Sequence, residues 1–460
     1  MSSAQKVRWS SRFTFLMAAV GSAVGLANIW RFPYTAGVSG GGAFVLVYLG
    51  AVVLLALPLV IAELTLGRRG KGAPPQAIKN VAVESGRSPN WGWMGVILGG
   101  FGGMLALSFY AVVGAWTLAY VVEMGSGNLA GVSTEQAQAV FGRLNGSFGS
   151  LLTWFTVFIV ATMLISARGI KAGVEKAVKM MMPALFIMLL IMVGYAVKVG
   201  EFGQAVEFLF RPDFSKLSAS IVLAAFGQAF FSVSVGLTAL VAYGAYIRQH
   251  VSIPQSAAVI VGVDTLVAVL AGLAIFPIIF AFGLEADAGP GLVFITLPFV
   301  FGEIPGGQIF GTMFFVLLLF AALTSSIGMI EAPVSWLAER TRLGRSGAAF
   351  AVGGISWSLG VLAVLSQNRL SSFYPLDGIA IFSGKTFFDL FDFLVINIMM
   401  PIGGILIAIF CGWLMHTRYS REELYGDNPT VWYTAWLILL RFLAPLVLLG
   451  VFVDMFLRAV

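Results

Sequence analysis

Apolar residues in this chain come in runs of about twenty or more, divided by short stretches that carry charge, Gly or Pro. A helix rising 1.5 Å per residue needs about 20 such residues to cross a hydrocarbon core. The pattern therefore predicts eleven helices, near 12–37, 41–67, 92–123, 151–167, 176–198, 218–247, 255–283, 307–339, 347–366, 386–415 and 430–457. Long connections near 124–150, 199–217 and 284–306 fall on the side opposite the N-terminus. The expected fold is all-α: a polytopic membrane protein with one transmembrane domain over 1–460 and no appended soluble domain.

Two of these runs are poor lipid-facing helices. In the first, Gly21–Pro33 reads G-S-A-V-G-L-A-N-I-W-R-F-P, placing glycines, Asn28 and Arg31 at membrane depth. In the sixth, Gly227–Gly236 reads G-Q-A-F-F-S-V-S-V-G. Broken helix is tolerated in hydrocarbon only where it lines a protein-enclosed cavity. There a half-helix N-terminus offers N–H groups to an anion, and unwound carbonyls can hold a cation. Small residues also serve helix packing, which competes as an explanation for either segment alone. Two breaks five spans apart instead predict a five-plus-five inverted repeat, with repeats near 12–198 and 218–415, an extra helix near 430–457, and a binding site at their interface.

Composition agrees with the pattern. The chain is 59% hydrophobic and 10% charged, against about 25% charged in an ordinary soluble domain. Its net charge of +6 is spread over loops between apolar runs, so lipid headgroups and topology account for it better than nucleic acid does. Most of the 27 Lys and Arg fall on the N-terminal side, including Arg68, Arg69, Lys71, Lys171 and Arg342. That bias predicts a cytoplasmic N-terminus in the cell's inner (plasma) membrane. No cleavable leader is expected. The single Cys411 excludes a disulfide framework and a Cys-based metal site. The two histidines, His250 and His416, sit near loops, and no HExxH or partnered GxSxG appears. An enzyme is therefore not expected.

The order of motifs carries more. G-S-A-V-G-L-A-N-I-W-R-F-P-Y (21–34), G-G-G-A-F (40–44), G-Q-A-F-F-S-V-S-V-G (227–236) and A-A-L-T-S-S (321–326) resemble the neurotransmitter:sodium symporter family, in its bacterial amino-acid branch. The resemblance runs from Trp9 to span ten and implies sodium-coupled symport by alternating access. It implies two sodium sites. One would use the Ala23 carbonyl, Asn28, Ser232 and Asp264; the other the Gly21, Val24 and Ala321 carbonyls with the Thr324 and Ser325 hydroxyls. Asp264 stands out independently, since an ionisable group within a span costs about 2.5–3.5 kcal/mol on insertion scales unless paired. Other members carry Asn there, and some of them bind chloride nearby. A carboxylate at 264 would supply that charge, so no chloride is expected.

The substrate pocket follows by the same matching. The Leu26 and Ala27 N–H groups and the Tyr110 hydroxyl would receive a carboxylate. Ala23, Ser232 and Ser325 lie close by. Phe231 would lid the pocket, while Ala106, Ser234, Leu237 and Met329 would face the side chain. Gly25 stands where monoamine carriers use an aspartate, which favours a zwitterion, and the apolar walls favour a hydrophobic neutral L-amino acid. Outside the pocket, Arg31 would meet Asp392 across the outer vestibule. Lys6 and Trp9 would form an inner latch with Glu339. A proton-coupled carrier of similar fold is the main alternative, and a membrane amino-acid sensor a second. The substrate's identity, sodium stoichiometry and oligomeric state are not fixed by these residues, and protein partners are unknown.

Overall fold

The computed structural model describes residues 8–284, 291–426 and 430–459, and among them there is helix but no strand. Among the described residues, nine helices are long and apolar enough to cross a membrane unbroken. We number them by position among eleven spans: span 2 Gly42–Gly70, span 3 Pro89–Gly125, span 4 Phe148–Ala167, span 5 Ile170–Val199, span 7 Ile253–Ala281, span 8 Gly307–Arg340, span 9 Gly344–Leu365, span 10 Phe387–Leu414 and span 11 Val431–Asp454. Span 1 consists of Arg12–Ala23 and Ala27–Val38, bent by 54°. Span 6 consists of Ala219–Ser232 and Ala239–Gly244.

Polar residues set the ends. Ser11 caps span 1 through a reciprocal box with Thr14, and Ser252 caps span 7, whose first turn also holds a proline. Each satisfies an N–H that the helix itself leaves unbonded. The connections are less open than the polarity pattern suggests: they fold into helices Pro74–Glu84, Thr134–Gly146, Phe202–Phe210, Leu292–Glu303 and Thr417–Tyr425.

Spans 1, 2, 6 and 7 pack on one another, and spans 3, 4, 8 and 9 form a second packed group. Members of each group pair up five spans apart, as expected of a five-plus-five repeat. The groups meet where the first half of span 1 lies against span 8. Gly328 permits that approach, since a Cβ there would collide with the Ser22 side chain.

Candidate functional site

The two breaks differ in how their backbone is held. In span 1 the helix ends at Ala23, and Val24 turns to an extended conformation (φ −65°, ψ 109°). The Gly25 N–H then donates to Asn28 Oδ1 at 3.0 Å. A Cβ on Gly25 would lie 2.6 Å from Ser325 Oγ and 3.3 Å from the Tyr110 hydroxyl, so no side chain fits without displacing one of them. In span 6 the break covers residues 233–238, later than its motif suggests, and Gly227 and Gln228 stay helical. Ser234 (φ 54°) and Thr238 (φ 56°) adopt left-handed backbone that L-residues rarely occupy. Glu63, a carboxyl buried in the middle of span 2, accepts from the N–H groups of Gly236 (2.7 Å) and Leu240 (3.2 Å). An acidic group at a half-helix N-terminus satisfies both its dipole and its free donors. Glu63 is not among the residues that the sequence motifs single out. Its signal was one acid in an otherwise apolar run.

Between the breaks lies a cavity of about 110 Å³. Around it stand Ala23, Gly25, Leu26, Ala27, Ala106, Tyr110, Phe231, Ser234, Leu237, Ser325 and Met329. Of the proposed substrate residues only Ser232 is not on the wall, because its hydroxyl turns to Asp264. Ser22, Phe109, Ala239 and the span 10 residues Val395, Ile396 and Met400 complete the lining. No Asp or Glu is among these lining residues. The Tyr110 hydroxyl is buried beside Leu26 and Ser325 without a hydrogen bond of its own.

Two oxygen-rich clusters flank the break in span 1. In the first, Asn28 Nδ2 lies 2.8 Å from Ser232 Oγ, 2.8 Å from Asp264 Oδ1 and 3.1 Å from the Asp264 carbonyl, while Ser232 Oγ donates to Asp264 Oδ2. All three side chains are fully buried, and Asp264 forms no ion pair with any described residue. Holding a cation through the Asn28 side-chain oxygen requires turning the amide over, because that oxygen faces Gly25 here. In the second cluster, Ser325 Oγ donates to Val24 O at 3.1 Å and reaches Gly21 O at 3.4 Å. Thr324 Oγ1 contacts Ala321 O at 3.1 Å. Hydroxyls and carbonyls of this kind suit a hard cation. The first cluster adds a carboxyl with no cationic partner, and both therefore fit sodium chemically.

The expected gates are arranged differently. Arg31 and Asp392 form no ion pair within 4.0 Å. Instead the Arg31 guanidinium lies over the Phe231 ring, 4.5 Å from its centre, and reaches the cavity wall. The cation thus rests on an aromatic face, while Asp392 still acts on it through charge without direct contact. On the N-terminal face, Lys6 lies outside the described residues. Trp9 is buried and donates from Nε1 to Tyr243 O at 3.1 Å, while Glu339 accepts from the Ala73 N–H at 2.9 Å. Nearby, Arg345 makes a bidentate pair with the fully buried Glu331 (2.9 and 2.6 Å), and Tyr246 adds a bond to Glu331 at 3.2 Å. This side therefore carries a buried ion pair that is not among the residues the sequence singles out.

Comparison with known proteins places this geometry. A profile of the Sodium:neurotransmitter symporter family matches residues 6–140 and 141–459. The uncharacterized sodium-dependent transporter YhdH of Bacillus subtilis (strain 168) is 38% identical, over 99% of each chain. An uncharacterized sodium-dependent transporter of Haemophilus influenzae (strain ATCC 51907 / DSM 11121 / KW20 / Rd) is 33% identical over 98% of each. The crystal structure of MhsT in complex with L-phenylalanine superposes with a TM-score of 0.87 at 38% identity, covering 98% of this chain and 99% of that one.

Proposed function

The chain belongs to the sodium:neurotransmitter symporter family, and from that premise we propose that it carries a hydrophobic, neutral L-amino acid into the cell with two sodium ions. It is a sodium-coupled membrane transporter; the substrate, the ion count and the orientation are our reading. In that reading it resides in the inner (plasma) membrane with its N-terminus in the cytoplasm, and it works by alternating access without chloride.

The cavity at the span 1 break carries the proposal. Its walls are apolar at Ala106, Leu237 and Met329, and its polar groups gather at Gly25–Ala27, Tyr110 and Ser325. A zwitterion placed there meets backbone N–H groups of the second half-helix and the unsatisfied Tyr110 hydroxyl with its carboxylate. No lining carboxylate stands ready for a lone amine, and Gly25 leaves no room for one. A monoamine is therefore disfavoured. The solved relative bound to L-phenylalanine supports the same substrate class.

Asn28, Ser232 and Asp264 would hold one sodium ion with the Ala23 carbonyl. Thr324, Ser325 and the Gly21, Val24 and Ala321 carbonyls would hold the other. The ions supply positive charge beside the substrate carboxylate. Asp264 balances part of that charge in a setting where like charges repel far more than in water. Phe231 covers the cavity, and Arg31 bears on that ring from outside.

Proteoliposomes loaded with potassium provide the test. Labelled leucine or tryptophan should accumulate under an inward sodium gradient, and gluconate should replace chloride without loss. Equal uptake from potassium and sodium media would overturn the sodium reading. Preference for dopamine-like amines or glutamate would overturn the substrate class. The Asp264 carboxyl, hydrogen-bonded by Asn28 and Ser232 but without a cationic partner, makes a proton-coupled carrier the second reading; accumulation driven by a pH gradient at equal sodium would favour it.

A further inference from the structure

Away from the central pathway, a cavity of about 670 Å³ opens on the face opposite the N-terminus. It lies between the end of span 3, helix Thr134–Gly146 and the first turns of span 4. Glu123 and Arg143 both line it, yet they form no ion pair with each other within 4.0 Å. Asn128 Nδ2 holds Glu123 Oε2 at 2.9 Å, which orients the carboxylate and leaves its other oxygen for a ligand. The Arg143 side chain makes no hydrogen bond or ion pair with a described residue. Ser147 and Ser150 add hydroxyls, and Trp154 supplies an aromatic wall.

One cavity thus holds separated charges of both signs. A simple anion would meet Arg143 but be repelled by Glu123, and a simple cation the reverse. A molecule carrying an ammonium and an anionic group satisfies both. Location narrows the choice. Span 4 is only 33% buried within the protein, and Val157, Val160 and Leu164 below the cavity are exposed apolar residues on a membrane helix. They face lipid. Trp154 lies two turns into the span, at the depth where tryptophans meet headgroups.

We propose that this cavity binds a zwitterion, its ammonium on Glu123 and its anionic group on Arg143, and that the headgroup of an aminophospholipid is its occupant. A phosphate suits the guanidinium fork, and a primary ammonium can donate to a carboxylate where a quaternary one cannot. A free amino acid shares the chemistry and is the alternative source. The inference is independent of what the central cavity carries.

The full chain, purified in detergent free of phospholipid, is titrated with phosphatidylethanolamine, phosphatidylcholine and phosphatidylglycerol by native mass spectrometry, and with L-leucine by equilibrium dialysis. Phosphatidylethanolamine should bind about tenfold more tightly than the other two, a difference that one lost charge-assisted contact supplies. Glu123→Gln and Arg143→Gln should each erase that preference while leaving the melting temperature unchanged. If instead wild type binds one more leucine per chain than both variants, the zwitterion is the free amino acid. Equal retention of the three lipids with the same leucine count in all proteins overturns the proposal, and so does a lipid preference that survives both substitutions.

Discussion

The two broken spans solve the same problem in opposite ways. The break in span 6 is pinned from within the protein: Glu63 engages the Gly236 and Leu240 N–H groups, and strained backbone at Ser234 and Thr238 is held in place by close neighbours. Span 10 is one of these, since a Cβ on Gly403 would collide with the Gly236 carbonyl. The break in span 1 is only partly occupied by its own side chains. Asn28 takes the Gly25 N–H, but Leu26, Ala27 and the Tyr110 hydroxyl look into the cavity. The span 6 break lends side chains, Ser234 and Leu237, to the cavity wall but keeps its own backbone bonded, whereas the span 1 break leaves backbone donors for ligands. Two interrupted helices in one fold need not carry equal shares of binding.

If that contrast is right, substitutions should separate folding from binding. The largest effect is expected from Glu63→Ala, which strands two buried N–H groups at a cost of about 3 kcal/mol or more. The variant should lose most of its monodisperse, detergent-solubilised protein, with Glu63→Gln intermediate. A wild-type melting curve for Glu63→Ala would end the distinction. Gly25→Val should do the reverse. Its new side chain overpacks against Ser325 and Tyr110, an effect of about 1–3 kcal/mol, or roughly ten- to hundredfold in amino-acid affinity. Melting should fall less than in Glu63→Ala, because the valine has the cavity to turn into, and scintillation proximity binding reads the loss of affinity.

Smaller effects sharpen the picture around span 1. Asp264→Asn keeps the shape of the first oxygen cluster but removes its formal charge. Sodium should bind about tenfold more weakly, the size of one charge-assisted contact. Chloride should restore part of that binding in Asp264→Asn, and exchanging chloride for gluconate should leave the wild type unaffected. Ser325→Ala removes one neutral oxygen worth about 0.5–1.5 kcal/mol, so a shift of roughly two- to tenfold in the sodium midpoint is expected. Ser325→Ala exceeding Asp264→Asn would invert the proposed roles of the two clusters.

Local pattern made much of this molecule legible. Apolar run length located the spans to within a few residues at most ends, because hydrocarbon thickness imposes it. The largest shift is at span 5, which starts at Ile170 and not at 176. The span 1 motif was legible for the same kind of reason: glycine, asparagine and arginine conflict with lipid. What escaped depends on distant partners. Glu63 was visible as an acid, but its acceptor role needs Gly236, 173 residues away. Val395, Ile396 and Met400 line the cavity, yet an apolar residue in an apolar span gives no sign of which way it faces. The displaced break in span 6 reflects backbone strain, which residue type alone does not locate. Charge alone pairs Arg31 with Asp392; the Phe231 ring on which its guanidinium rests is a contact that charge does not reveal.

The polar bonds at the breaks also impose a timetable on synthesis. Asn28 finds its acceptors at Ser232 and Asp264, 204 and 236 residues later, and Ser325 reaches Val24 across 301. A ribosome adding about 5–20 residues per second leaves the span 1 break without those partners for tens of seconds after it enters the bilayer. Unpaired backbone cannot rest in lipid for that time. The nascent first span must therefore stay at the insertion machinery, cross as a straighter helix that unwinds later, or borrow a chaperone's polar groups. A chain truncated after span 6 would never complete the bend, and quality control has a ready mark by which to recognise it.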